Sequence, residues 1–251
     1  MRSLINSINQ SANDWNVPQR VAWWIIAVPI IGAVFVGLSR ISLSFYTFLT
    51  MEDGPLEWSQ FILYAAAAIL GCGVAIKRFQ AGHPWQALMF LGFGLANLFI
   101  AGEEIAWGQR IFGLRTPDEL MKLNHQGEIT IHNIMVIQNA FNIVLLVGSA
   151  FCMAMYFINK KYHFEKKWDQ ANYLFVPPLF SASLFFVMLA YKLIRFVVFP
   201  TAEFTITKYG EWPELCFAFG LFVFAWLNYR RLAVPQRAMN STAQQQRHAL
   251  K

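Results

Sequence analysis

Long apolar runs separated by short polar segments are the dominant pattern of this sequence. Each run is close to the roughly 20 residues that a helix needs to cross the hydrocarbon core of a membrane. Because lipid offers the backbone no hydrogen-bond partners, helices are the economical way to span it. We therefore predict an all-α, polytopic membrane protein whose transmembrane domain, residues 1–232, is a bundle of six transmembrane helices. The predicted helices lie at about 21–38, 59–76, 85–112, 132–157, 178–199 and 212–229.

Two further segments are predicted outside these helices. The string TPDELMKLNHQG has the form of a capping box, with Thr116 as the N-cap and Glu119 three residues later. It predicts a short outer helix at about 117–124 whose apolar side chains lie in the membrane interface. The polar, glutamine-rich segment 233–251 is predicted to be a disordered cytoplasmic tail.

Composition agrees with a membrane protein. Hydrophobic residues make up 57% of the 251 positions and charged residues 14%, whereas an ordinary soluble domain has about 25% charged residues. The three cysteines form no CxxC pair, so neither a disulfide framework nor a thiolate metal site is indicated. The net charge is +6, but the basic residues flank the apolar runs. The expected partners are therefore membrane lipid and other membrane proteins, with no nucleic acid.

The distribution of lysine and arginine predicts the orientation of the chain. Thirteen of these residues lie on the side that holds both terminal segments, and seven lie on the other side. Cytoplasmic loops carry the excess of positive charge in membrane proteins. The N and C termini are therefore predicted to be cytoplasmic, in a bacterial inner (cytoplasmic) membrane, with the remaining loops on the periplasmic side.

One periplasmic segment, GEEIAWGQRIFGLRTPDELMKLNHQGEITIHN, concentrates ionisable residues between two apolar runs. Glu103 and Glu104 lie at the C-terminal end of the third helix, where the helix dipole disfavours carboxylates. They need a compensating cation, metal, proton or arginine, and Arg110 is placed on the same predicted helical face as Glu103 and Trp107. A salt bridge that fixes the helix end is the structural interpretation, and a functional site is the other. The candidate catalytic residues are Glu103, Glu104, Arg110 and His132.

The sequence leaves the cofactor unknown, and a divalent metal is the candidate that this segment offers. His125, Glu128 and His132 are spaced to line one face of a continuous helix, as metal ligands or acid–base groups do. Gly127 interrupts that helix, and a single histidine is more often a hydrogen-bonding group than a ligand. The candidate metal ligands are Glu104, His125, Glu128 and His132.

Other helices direct polar side chains to the same layer. EDGPLEW and GEWPEL begin the second and sixth helices, with Glu57 and Glu214 in first turns where capping alone favours acids. Lys192 and Arg195 lie one turn apart on the fifth helix and either neutralise carboxylates or bind an anionic headgroup. The supporting residues are Glu57, Glu214 and Asn139. The candidate substrate-binding residues are Lys192, Arg195, Trp107, Gln109 and Asn133.

The strings AGEEIAWGQRIFG, NHQGEITIHN and EDGPLEW resemble the motif set of a family of uncharacterised multi-pass bacterial membrane proteins. In that family a GEExxWGQR element is followed by QGExxxHN. The resemblance covers roughly residues 50–145. It implies that these residues belong together in one site, and it implies no particular activity.

Three functions remain open on these observations. The first is a metal-assisted or acid–base enzyme acting on a lipid or lipid-linked substrate at the periplasmic side. The second is a non-enzymatic membrane subunit, assembly factor or sensor in which the polar cluster is structural. The third is a transporter, although no inverted repeat is evident and the polar residues concentrate in one half of the membrane.

Overall fold

The computed structural model describes residues 2–124, 127–131, 134–162, 176–199 and 203–233, and this part of the chain is helical. Its only β-type pairing is an isolated bridge between Asn124 and Ile134. The helices are α1 (Arg2–Asp14), α2 (Gln19–Ser39), α3 (Leu43–Thr50), α4 (Pro55–Gln80), α5 (Pro84–Glu104), α6 (Gln109–Phe112), α7 (Asp118–Leu123), α8 (Met135–Tyr162), α9 (Ala182–Val197), α10 (Phe204–Lys208) and α11 (Glu211–Ala233).

Six helical segments are long and apolar enough to cross a membrane, and the protein is a multi-pass membrane protein. They contain α2, α3 with α4, α5, α8, α9, and α10 with α11. Several helices exceed the predicted bounds by a turn. The predicted bounds follow the apolar runs, which stop at the first charged residue, whereas the helices continue past it. For example, α4 includes Glu57 in its first turn and Lys77 and Arg78 in its last turn.

The predicted third helix, 85–112, is wrong at its C-terminal end. α5 ends at Glu104, and the backbone then enters the left-handed region at Ala106 and Trp107 before Gly108, with φ values of 45°, 54° and 75°. A right-handed helix cannot continue through such residues. The short helix α6 therefore starts in a new direction, and Glu103, Trp107 and Arg110 do not share one continuous helical face.

α11 is the central helix of the bundle. It packs against α4 on one side and against α9 and α2 on the other. α5 packs on α4, and α8 packs on α9, so these two helices lie outside the central group. Small residues allow the close approaches that such packing needs. A Cβ atom at Gly94 of α5 would lie 2.7 Å from the Sγ atom of Cys72 and 3.1 Å from the backbone oxygen of Ala68 on α4.

The surface of this bundle exposes more apolar area than soluble proteins normally do. Large hydrophobic side chains are exposed along α2 and α8, including Ile31, Val34, Val144 and Val147. Lipid tails are as apolar as these side chains, so such a surface is stable within a bilayer. The exposed apolar surface and the six helical spans therefore indicate the same environment.

The amphipathic helix α1 packs on the bundle at the end where α11 ends. Ile8 and Ala12 are buried in a core cluster with Leu179 and Leu227. The backbone amide of Leu179 donates a 3.0 Å hydrogen bond to the hydroxyl of Ser11. α1 thus packs on α2 and on the turn at Leu179–Ser181, which precedes α9. The first residue of the predicted tail 233–251 still belongs to α11, because this helix ends at Ala233. Residues 234–251 lie outside the described part of the chain.

A valine at Gly94 should destabilise the bundle, because its side chain would collide with Cys72 and with the backbone of Ala68. Overpacking a tight contact of this kind costs about 1–3 kcal/mol. Gly92 is the matched control, since nothing lies within 4 Å of a Cβ atom added there. Thermal unfolding of the detergent-solubilised protein is expected to show a lower midpoint for Gly94→Val than for Gly92→Val. Equal midpoints would contradict the close α4–α5 contact.

Candidate functional site

A cavity of about 440 Å³ lies at the end of the bundle where α4, α8 and α11 begin and where α5 and α9 end. Its walls come from these helices and from the segments that join them. Seven glutamates line it: Glu52, Glu57, Glu103, Glu104, Glu128, Glu211 and Glu214. The basic residues in the described lining are Lys192, Arg195 and Lys208. Carboxylates therefore outnumber cations around one enclosed space.

The cavity brings together eight of the residues that the sequence singled out. These are Glu57, Glu103, Glu104, Glu128, Asn139, Lys192, Arg195 and Glu214. Trp107, Gln109 and Arg110 do not line it. Trp107 donates a hydrogen bond to Glu103 and Arg110 donates one to Glu128, and both of these acids line the cavity. Gln109 accepts a hydrogen bond from the backbone amide of Ile129, the residue after Glu128. The predicted residues His125, His132 and Asn133 lie outside the described residues.

Glu104 differs from the other acids of the cavity. No hydrogen bond or ion pair to its carboxylate occurs within the described residues. Its principal electrostatic neighbours are also carboxylates, namely those of Glu214, Glu211, Glu57 and Glu103. A carboxylate withdrawn from water is costly unless a cation or hydrogen-bond donor compensates it. Glu104 is therefore the acid of this cavity whose partner the described protein does not supply.

Glu103, the adjacent acid, is fully engaged in holding the loop that follows α5. It is only 4% exposed. Its Oε1 atom accepts a 2.6 Å hydrogen bond from the indole N–H of Trp107, and its Oε2 atom accepts a 2.7 Å bond from the backbone amide of Ile131. The carboxylate thus ties the end of α5 to the loop. Both of its carboxylate oxygens thus accept hydrogen bonds from the segment that follows α5.

Arg110 joins three acids rather than Glu103 or Glu104. Its guanidinium donates hydrogen bonds to Asp53 and Glu128 and lies 3.5 Å from a carboxylate oxygen of Glu52. Burial lowers the pKa of Arg110, but these carboxylates raise it by more, so its pKa lies above the ordinary arginine value. The salt bridge between Arg110 and the α5 acids, one of the two interpretations of this segment, is therefore wrong, because the break after Glu104 turns Arg110 towards the α3–α4 loop.

The segment that carries Glu128 is a tight loop and not a helix. The side-chain amide of Asn124 donates to the backbone oxygens of Glu128 and Thr130, both at 2.9 Å. Gly127 has a φ of 68°, which a side chain rarely permits. The hypothesis of one helical face through His125, Glu128 and His132 is therefore wrong at the described positions, because the backbone at 127–131 is not helical.

Thr116 and Gln109 also serve this loop. The predicted capping box is wrong, since Pro117 is the N-cap of α7 and no side chain caps the helix. The hydroxyl of Thr116 instead bonds to Gln109 at 2.7 Å and to the backbone oxygen of Gly127. Gln109 accepts a 2.6 Å bond from the backbone amide of Ile129. A side chain predicted to bind substrate thus supports the backbone of the loop.

The basic residues of the cavity differ in how far they are neutralised. Lys192 is 5% exposed, and its ammonium lies 2.7 Å from the side-chain oxygen of Asn142 and 3.1 Å from Glu214. Lys208 lies 3.4 Å from Glu52. Arg195 donates to the backbone oxygen of Phe199 and has no acidic partner in the described part of the chain. Lys192 therefore neutralises a carboxylate, whereas Arg195 keeps its charge uncompensated.

Sequence reasoning missed several lining residues. Glu211 lines the cavity, and its carboxylate accepts a 3.0 Å hydrogen bond from the fully buried Gln60. The string GEWPEL contains both Glu211 and Glu214, so the signal was present in the same motif. Glu52 was similarly present in MEDG. Lys208 lies in an unremarkable stretch, and only the fold places it beside Glu52.

The metal hypothesis is not advanced by the described residues. They contain no group of three histidine, cysteine, aspartate or glutamate side chains able to hold a metal ion. Glu128, one of the predicted ligands, is engaged by Arg110. The set of Glu104, His125, Glu128 and His132 depends on two histidines outside the described residues, so it stays a prediction.

Replacing Arg110 by glutamine should loosen the loop, because Glu128 is 12% exposed at its side chain and would lose its cation. A loss of about 1–2 kcal/mol of local stability makes amide exchange about 5- to 30-fold faster. Hydrogen–deuterium exchange at Ile129 and Ile131 is the measurement, since both amides bond to side chains of this network. Exposed Arg115→Gln is the control. Unchanged exchange in Arg110→Gln would contradict the role of the ion pairs.

Replacing Lys192 by methionine should destabilise the protein, because Glu214 would remain in the cavity without its cation. Breaking a buried pair from one side costs about 3–5 kcal/mol, and about 3 kcal/mol is expected here because the Glu214 side chain keeps 29% exposure. The double variant K192M/E214Q should recover most of this stability. Thermal unfolding in detergent measures both, and a double variant no better than Lys192→Met would contradict the pairing.

Comparison with known proteins adds no family and no activity to this geometry. No family model matches the chain, and no curated protein or solved structure matches it either. Because a fold does not determine a function, the chemistry of the cavity is the guide to what the protein does. The chain is a multi-pass membrane protein with an acidic cavity at one end of its helical bundle.

Proposed function

We propose that this protein is an integral-membrane enzyme that performs acid–base chemistry on a lipid or lipid-linked substrate bound in the cavity. One observation carries the proposal. Glu104 is a carboxylate in a cavity among other carboxylates, and it lacks a protein partner within the described residues. Groups placed in such environments are poised to exchange protons with a ligand.

The contacts distribute the predicted site residues over different roles. Glu104 is the group that takes a proton from the polar part of the substrate or returns one to it. Arg195 is the anchor for an anionic part of the substrate, because its guanidinium keeps free donors. Glu103 and Arg110 hold the loop over the cavity through their bonds to Ile131 and Glu128. Such positioning keeps reactive groups in the geometry that the reaction needs.

We place the cavity on the periplasmic side of a bacterial inner membrane, with both termini in the cytoplasm. The excess of lysine and arginine in the terminal segments and in the two loops on their side supports this orientation. The cavity would then open at the level of the outer leaflet, where lipid headgroups lie. A divalent metal remains part of the hypothesis only through His125 and His132.

A non-enzymatic role as a subunit, assembly factor or sensor is the second candidate. It is favoured by the observation that Glu103, Gln109, Arg110 and Glu128 all take part in bonds that fix the loop. A stable partner membrane protein that co-purifies in fixed ratio, and that is lost on alteration of loop 105–131, would support it. A transporter is the third candidate, and the location of the cavity at one end of the bundle argues against it.

The enzyme proposal predicts that Glu104→Gln abolishes turnover while the protein remains in the membrane. Glutamine preserves the size of the side chain but cannot exchange a proton, and loss of a general acid or base lowers rates by about 10²- to 10⁴-fold. Mass spectrometry of total membrane lipid should show a species that changes on expression of the unaltered protein and fails to change with Glu104→Gln.

The control for this experiment is Glu119→Gln, an exposed glutamate on α7 outside the cavity. It should give the same lipid profile as the unaltered protein at equal abundance in the membrane. Identical lipid profiles for Glu104→Gln and the unaltered protein would refute the proposed acid–base role.

A further inference from the structure

We infer that the polar part of the substrate is a zwitterion that carries a primary ammonium and a phosphodiester, as an ethanolamine phospholipid does. This inference rests on the proposed function and adds the class of substrate to it. It comes from the way in which the charges of the cavity are paired with one another, and from which charges are left over.

Most charges of the cavity are compensated within the protein. Glu214 pairs with Lys192, and Glu52 lies near both Lys208 and Arg110. The remaining acids have partners too: Glu128 bonds to Arg110, Glu103 to Trp107 and Ile131, Glu211 to Gln60, and Glu57 to the backbone amide of Asp53. Within the described residues, these pairings leave Glu104 as the uncompensated carboxylate.

One cation of the cavity is left over in the same way. Arg195 lines the cavity from α9, whereas Glu104 lines it from α5. No ion pair joins these two side chains within the described residues, so each is available to a ligand. Among the described lining residues, Glu104 is thus the carboxylate with neither a cation nor a hydrogen-bond donor, and Arg195 is the cation without an acid. A ligand with one charge of each sign is complementary to such a pair of groups.

The acidic half favours an ammonium that can donate hydrogen bonds. Glu104 is surrounded by the carboxylates of Glu57, Glu211 and Glu214, which attract a cation together. The fully buried Gln60 donates a hydrogen bond to Glu211 on the cavity wall, which holds that carboxylate in place. A primary ammonium has three donors, whereas a trimethylated ammonium has none.

The other half favours a phosphodiester. An arginine guanidinium presents donors in a fork that matches two oxygens of a phosphate group. Arg195 uses one of its donors on the backbone oxygen of Phe199, and the others remain for a ligand. Lys192, which has two described acceptors for its three donors, lies one turn away on the same wall. A phosphate at this wall would meet both residues.

The volume of the cavity fits a lipid headgroup, and the apolar residues in and beside its lining fit acyl chains that remain outside the cavity. A volume of about 440 Å³ is in the range of small-molecule sites. Ile100, Phe141 and Phe196 add apolar surface to the lining. The neighbouring residues Phe99 and Val197 are exposed on the outer faces of α5 and α9. Acyl chains attached to a bound headgroup can therefore lie along these faces in the bilayer.

The test measures ligand-induced stabilisation of the purified full-length protein in detergent. Short-chain phosphatidylethanolamine is added, and short-chain phosphatidylglycerol and phosphatidylcholine are compared with it at equal concentration. A ligand that binds only the folded state raises the unfolding midpoint. We expect the ethanolamine lipid to bind about tenfold more tightly than either comparison lipid, because only its headgroup donates ammonium hydrogen bonds to the acids. Equal stabilisation by phosphatidylglycerol, or stabilisation by none of the lipids, would overturn the inference.

Soluble glycerophosphoethanolamine identifies the source of the headgroup. Stabilisation equal to that by the lipid would identify a water-soluble zwitterion as the ligand, and stabilisation by the lipid alone would identify a membrane lipid. Both results support the ammonium and phosphodiester chemistry. Stabilisation by neither compound would reject it.

Two variants connect the binding to the assigned residues. Glu104→Gln should reduce the affinity for the ethanolamine lipid to the level of phosphatidylglycerol, and Arg195→Gln should weaken binding of all three lipids about tenfold or more. Glu119→Gln should bind as the unaltered protein does. If Glu104→Gln is unstable, Arg195→Gln and the lipid comparison still test the inference. Ethanolamine-selective binding together with an unchanged membrane lipid profile in Glu104→Gln would refute the enzyme and leave the ligand assignment intact.

Discussion

The free energy of taking a charge out of water governs the cavity end of this protein. An ion buried in an apolar bundle is stable only when a counter-ion or hydrogen-bond donors replace the water it has lost. Lys192 and Glu214 satisfy this condition for each other across α9 and α11. Arg110 does the same for Glu128. The described acids that line the cavity follow this rule, and Glu104 is the exception among them.

The loop between α5 and α8 shows how a non-helical backbone is held at the edge of such a bundle. Backbone groups there cannot rely on a helix, so side chains supply their partners. Asn124, Gln109 and Glu103 each bond to backbone groups of residues 127–131. Non-helical backbone near a membrane is tolerated where protein or water satisfies it in this manner. The same residues that make the loop rigid therefore also fix one wall of the cavity.

Helix packing determines at which end of the bundle the cavity lies. The close α4–α5 contact at Gly94 and the central position of α11 draw five helices together. At one end α1 packs on the bundle through Ile8 and Ala12. At the other end polar side chains replace the apolar ones, and the helices enclose space instead of a dry core. The polar space is thus set on a rigid apolar scaffold, an arrangement that suits binding and catalysis.

The sequence by itself determined the six apolar spans and the layer to which Glu57, Glu104, Lys192 and Glu214 belong, because hydropathy and helix length are local properties. It could not determine which charges pair. Arg110 bonds to an acid 57 residues away, and Lys192 bonds to an amide 50 residues away. The break after Glu104 could not be read from the sequence either. The spacing of Glu103, Trp107 and Arg110 is that of a helix, whereas the backbone between them is not helical. Only the tertiary structure, which brings distant segments within hydrogen-bonding range, decided these partners, and among the described residues it gives Glu104 none.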